Sequence, residues 1–140
     1  MRKRLSIALL VALIALAASA GAGASSNSSS TVSAQVDSIA TVTSAVNVVF
    51  DFDLYNCPAG EPIAIVEWIA NEPSRPDSGA SSILDEYGLS NGDPIQHLTL
   101  SANSSSFLAG ERWVGSGSVQ CGAVTVPVAG SGQAKSLNGV

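Results

Sequence analysis

The sequence predicts an all-β domain: a β-sandwich of about seven short strands. Apolar residues recur at every second position in several short runs, and no long stretch carries a helical period. Gly, Pro, Asn and Ser interrupt these runs at intervals of roughly 8 to 12 residues, the spacing of strands and turns. Aromatic residues make up 5% of the chain while Val, Ser, Thr, Gly and Ala abound, a composition suited to pleated, half-buried surfaces.

The clearest strand holds Val46, Val48, Phe50, Phe52 and Leu54, with Asn47, Val49, Asp51, Asp53 and Tyr55 between them. Side chains alternate faces along a strand, so this run has one apolar and one mostly polar face. Cys57-Pro58-Ala59-Gly60 ends it as a turn, since proline lacks an N–H and glycine accepts positive φ. By strict alternation Cys57 falls on the aspartate face, so either a bulge near Asn56 shifts the register or Cys57 lies in the turn. The next run, Ile63 to Ala70, is apolar on both faces and reads as a more buried strand.

Before this pair, Thr31 to Thr43 reads as one strand or two short ones. After it, Asn71 to Ser82 carries two prolines, a glycine and many polar residues, the pattern of a long exposed loop. Ile83 to Tyr87 fits a helical turn or a short strand. Ser90-Asn91-Gly92-Asp93-Pro94 is a turn, with Asn-Gly its strongest signal. Ile95 to Ala102 alternates as a strand, and Asn103 to Ser106 reads as a polar turn. Glu111 to Cys121 places Trp113, Gly115, Gly117, Val119 and Cys121 on one parity. Val124, Val126 and Val128 alternate again, with Pro127 marking an edge or interrupted strand. Gln133 to Leu137 could add a short terminal strand.

The chain opens Met1-Arg2-Lys3-Arg4 and then runs largely apolar for about 14 residues, Leu5 to Ala18. A spanning helix needs roughly 20 apolar residues. A basic start, a short apolar core and small exit residues describe a secretory signal peptide over residues 1–24, cleaved after Ala20 or Ala24. No cysteine marks a lipoprotein anchor there, and Lys3 separates the arginines of what would be a twin-arginine signal. Residues 25–30, SSNSSS, form a polar spacer expected to be disordered, and residues 31–140 a single β-sandwich domain. The expected localisation is secreted or extracellular, with no stable membrane anchor after cleavage. Asn27 and Asn103 sit in N-x-S sequons, but the leader looks bacterial and gives them little weight.

Cleavage removes Arg2, Lys3 and Arg4, leaving Arg75, Arg112 and Lys135 against eleven acids, a net charge near −8. Three scattered cations do not make a phosphate-tracking patch, which argues against nucleic acid as a partner.

Two cysteines in an exported chain pair by default, so Cys57 and Cys121 are expected to form a disulfide. It would close a loop of roughly 65 residues and contribute about 4 kcal/mol in the loop-entropy picture. A redox pair is disfavoured: there is no C-x-x-C, and no basic residue adjoins either cysteine. Trp68 follows Cys57 by eleven residues, and the order Cys…Trp…Cys points to an immunoglobulin-like antiparallel sandwich. Val119 stands where immunoglobulin domains carry the tyrosine of the tyrosine corner.

Tyr55-Asn56-Cys57-Pro58-Ala59-Gly60 (Y-x-C-P-x-G), His97-Leu98-Thr99-Leu100 and Phe107-Leu108-Ala109-Gly110 (F-x-x-G) together resemble small secreted actinobacterial proteins of unknown function. The likeness spans most of the mature chain and implies a secreted β-sandwich with no assigned activity. Many such relatives carry Cys-Asp-Gly before the histidine strand, where this chain has Asn91-Gly92-Asp93.

No catalytic, cofactor-binding or metal-ligating residue is assigned from the sequence. His97 is the sole histidine, and no G-x-S-x-G elbow is present. Zinc lacks a ligand set. Asp51 and Asp53 share a face, and Glu67 would join them if the two central strands formed a hairpin, an oxygen-rich arrangement that Ca²⁺ uses and that otherwise reads as a solvated acidic face. The loop from Asn71 to Ser82, with Arg75 before Pro76, is the expected contact region for a partner. The sequence therefore favours a secreted non-enzymatic module binding an unknown extracellular partner. A small inhibitor of a secreted hydrolase is the alternative, and a Ca²⁺-dependent or carbohydrate-active enzyme comes third. Intact mass of the exported protein should begin at Gly21 or Ser25 and be two hydrogens lighter before reduction; an unprocessed chain with free thiols would contradict both expectations.

Overall fold

The computed structural model describes residues 31–137. The expected signal peptide and spacer lie outside the described residues. Eight strands follow one another: β1 (Ser33–Val36), β2 (Ile39–Ser44), β3 (Asn47–Tyr55), β4 (Pro62–Asn71), β5 (Gly79–Leu89), β6 (Ile95–Ser105), β7 (Arg112–Cys121) and β8 (Val124–Ser136). No helix occurs among the described residues, so the all-β class holds.

The architecture corrects the expected sandwich. Seven strands close into a ring, β3–β2–β8–β7–β4–β5–β6 and back to β3, with β1 added beside β3. Two strands make the closure by changing partners along their length. β5 follows β4 from Ala80 to Leu89 but meets β6 only at Gly79–Ser81. β2 runs antiparallel to β3 and parallel to the end of β8, at Ile39↔Gln133 to Val42↔Ser136. Alternation reports which face a residue occupies; it carries no record of where a strand switches neighbours, so the sequence read as two open sheets.

Residues 31–43 resolve into two strands on one edge of β3. β1 covers Phe52 to Tyr55 and β2 covers Asn47 to Val49, with a break at Asp37–Ser38. Ile83 to Tyr87 is strand, inside β5, and the expected turn at Asn103–Ser106 is mostly the end of β6. The tail expected as a separate strand continues β8 to Ser136. Pro127 pairs with Ser118 on β7 alone, which leaves its ring nitrogen on the unpaired side.

Val48, Phe50, Phe52 and Leu54 are buried on the inner face of β3, as their parity requires. Trp68 from β4 and Trp113 from β7 meet them from the opposite wall. The Phe50 ring lies 5.2 Å from both indoles, and Phe52 lies 4.9 Å from Trp68, all edge-on. The inward glycines of β7 make room for this cluster: a Cβ at Gly115 would strike the Trp68 ring, and one at Gly117 would strike the Glu67 carbonyl.

Cys57 lies just past β3 and Cys121 ends β7. They form the expected disulfide, buried, with Cα atoms 5.9 Å apart. Asn56, at φ 62°, turns the chain so that Cys57 faces inward, which settles the register conflict in favour of the turn. Gly117→Ala should lower stability by about 1 to 3 kcal/mol through overpacking, measured by urea denaturation; an unchanged midpoint would show that β4 and β7 are not so closely apposed.

Candidate binding surfaces

The outer face of β1, β3 and β6 gathers most of the residues singled out in the sequence. Register places Asp51 opposite Thr99 and Asp53 opposite His97. The Thr99 hydroxyl donates to Asp51 Oδ1 at 3.1 Å, and His97 Nδ1 meets Asp53 Oδ1. A carboxylate only accepts, so Nδ1 carries the proton in this pair. Asn47 donates to the Ser101 hydroxyl at 2.6 Å, and the Tyr55 hydroxyl donates to Gln35 at 3.4 Å. The face is a ladder of cross-strand polar pairs.

Glu67 does not join it. β3 and β4 do not pair; β4 lies between β5 and β7 on the other side of the core, and Glu67 stands opposite Ile83 and Ser118. The hairpin that would have brought three carboxylates together is absent. Among the described residues no group of three or more His, Cys, Asp or Glu is placed to hold a metal ion.

His97 and Asp53 reproduce the base-and-orienter half of a hydrolytic triad. The His97 side chain is 81% exposed on an open strand face. Thr99, its nearest neighbour along that face, gives its hydroxyl to Asp51 rather than to the imidazole.

The loop between β4 and β5 departs from its expectation. It spans only residues 72–78, because β4 extends to Asn71 and β5 begins at Gly79. Two successive turns fold it, Arg75 N–H to the Glu72 carbonyl at 2.8 Å and Ser78 N–H to the Arg75 carbonyl at 2.9 Å. Arg75 turns back, donating from Nε to the Ser106 carbonyl at 3.2 Å. Glu72 has no exposed surface. Its Oε1 accepts the Leu108 N–H at 2.7 Å and lies 3.8 Å from Arg75 Nε, while Oε2 has no partner. Burial raises the Glu72 pKa above its usual 4.5; the Leu108 N–H opposes this, Glu111 adds to it and Arg75 reduces it. The carboxyl ties this loop to the β6–β7 loop. Sequence reasoning missed it, since an acid following an apolar strand reads as the first solvated residue.

At the opposite end, Ser90 is a buried hub. Its hydroxyl donates to the Cys57 carbonyl at 2.8 Å and accepts from Gln96 Nε2 at 2.8 Å and Gly92 N–H at 3.1 Å. Its backbone bonds Gly60 and Glu61, and Asn56 N–H donates to the Pro94 carbonyl. The Cys57–Gly60 turn and the Asn91–Gly92 turn are thus one interlocked unit.

No protein-family model matches the chain, and a search of curated proteins finds no significant match.

Because the Glu72 pKa is raised in the fold, the folded chain binds more protons than the unfolded one between about pH 4.5 and the raised value. Its contribution to stability is therefore fullest at low pH and falls as pH rises through that window. Glu72→Gln keeps the acceptor for Leu108 and should match or exceed wild-type stability at pH 7, with the gap shrinking toward pH 4; a gap that widens on acidification would contradict this. Asp53→Asn should shift stability by less than about 1 kcal/mol, as for other exposed pairs, read from denaturation midpoints with and without salt.

Proposed function

We propose that this chain is a secreted, non-enzymatic module of immunoglobulin-like wiring that acts by presenting a rigid β surface to an extracellular partner. The wiring has specific support. The disulfide joins the end of β3 to the end of β7, the buried Trp68 lies on β4, and β3–β6 face β4–β7–β8 across the core. The bridge also fits an oxidising destination.

The observation that carries the non-enzymatic reading is the setting of His97. It has an orienting carboxylate, but it lies open to solvent, and the hydroxyl beside it is bound to another acid. Acyl transfer needs the nucleophile on the base and a site that excludes water. The inhibitor alternative rests on residues 72–78. A bait loop works extended and outward, and here Arg75 is folded back onto Ser106, which keeps that reading second.

A panel of ester, peptide and glycoside substrates should show no turnover that His97→Ala removes. Turnover lost in that variant, in a protein with its disulfide intact, would overturn the proposal.

A further inference from the structure

β5 changes partners at Ser81, and this leaves an edge. From Ser82 to Leu89 the strand pairs with β4 on one side only. β6 runs nearby, but between Ile95 and Ala102 it pairs with β3 only. Tyr87 stands between the two strands, its hydroxyl donating to the Thr99 carbonyl at 2.9 Å. One carbonyl of the β6 edge is thereby occupied, and among the described residues no ladder joins the rest of the two edges.

Proteins normally protect such an edge with charge, proline or a covering element. This one carries two acids, Asp85 and Glu86, and also displays aliphatic side chains. Ile83 is 82% exposed, Leu89 69% and Leu84 56%. Leu84 also has φ 53°, a left-handed conformation that is costly for a leucine and here goes with an exposed side chain. Two recesses flank the strand. One of about 390 Å³ on the outer face is lined by Pro62, Ala64, Leu84, Glu86 and Leu89. The other, of about 400 Å³, opens between β5 and β6 and is lined by Tyr87, Leu89, Ile95 and His97. An added strand sends alternate side chains to opposite faces; one recess lies against β4 and the other in the gap between β5 and β6, both within reach of such side chains.

Charge selects the occupant. Asp85, Glu86 and Asp93 surround the edge, and no Lys or Arg occurs from Pro76 to Glu111. Arg75, Arg112 and Lys135 all lie toward the other end of the ring, by Ser106, Gln133 and Thr41. A second copy paired through β5 would set Asp85 and Glu86 against the same acids, a destabilising arrangement. We infer that the free edge of β5, Ser82 to Leu89, docks an extended polypeptide segment in which basic and aliphatic residues alternate. Main-chain hydrogen bonds would supply the addition and the two recesses its side-chain preference. This deepens the binding-module reading and rests on it.

The test is titration of ¹⁵N-labelled protein with a seven-residue peptide alternating lysine and valine, against its glutamate–valine counterpart. The lysine peptide should shift amides within residues 82–89 and their β6 neighbours, and Asp85→Lys with Glu86→Lys should weaken it by about tenfold or more. Equal binding of both peptides, shifts confined to the Asp51–Asp53 face, or no shift at about 1 mM peptide would each overturn the inference. So would concentration-dependent dimerisation that broadens the β5 amides, since the occupant would then be a second copy. A silent edge in a protein with an intact disulfide and dispersed spectrum sinks this inference alone; His97-dependent turnover sinks the module reading and leaves the edge data unaffected.

Discussion

The Cys57–Cys121 bridge and the aromatic cluster beyond it hold the two walls of the ring at a fixed spacing. Phe50 and Phe52 project from one wall, Trp68 and Trp113 from the other, and Phe107 closes against Phe50 at 6.3 Å. Each edge-on pair is worth about 0.5 to 1.5 kcal/mol beyond the area it buries. The disulfide joins residues 64 apart in sequence and adds about 4 kcal/mol by the loop-entropy argument. A domain of this size buries a limited core, so these few contacts carry much of its stability. They also explain the glycine at position 115 of β7: the indole of Trp68 occupies the volume a side chain there would need, whereas at Gly117 it is the Glu67 carbonyl that does so.

Closure of the ring follows from strands that change partners. β2 and β5 each leave one neighbour for another, and each change leaves polar backbone to be satisfied elsewhere. At β2 the end of β8 supplies a parallel ladder. At β5 the replacement is partial: Tyr87 caps one carbonyl of β6, and burial with the nearby Asp85 pushes its pKa up to about 12, so it remains a neutral donor across the physiological range. The stable part of the molecule and its accessible edge thus have the same origin. Polar groups are divided accordingly: acids paired across strands on the outer face of β3, and beside the open edge Glu86 and Asp85, the latter accepting from the Ser82 hydroxyl of its own strand.

Much of the fold was legible in period-two alternation. The inner faces of β3 and β6, the turn at Cys57–Gly60, the disulfide and the edge character at Pro127 could all be read from side-chain chemistry. Partner choice was not, because face parity is the same in a sandwich and a closed ring. The Asn71–Ser82 stretch misled because Pro, Ser and Gly signal irregular backbone, whereas β4 and β5 extend into both ends of it. Asp53 and His97 were each noticed, yet their pairing depends on the β3–β6 register, which no local pattern contains. Glu72 was hidden for a different reason: its burial comes from a loop 36 residues away in sequence, through Leu108.

Native-state amide hydrogen exchange tests the closed, disulfide-braced ring most directly. Amides of β3, β4 and β7 should exchange slowest, and those in the short ladders at Ser81–Asn103 and Ile39–Gln133 should also be protected. Outward amides between Ser82 and Leu89 should exchange quickly. If the two closing ladders exchanged as fast as that free edge, the molecule would be a pair of open sheets and the ring described here would be wrong.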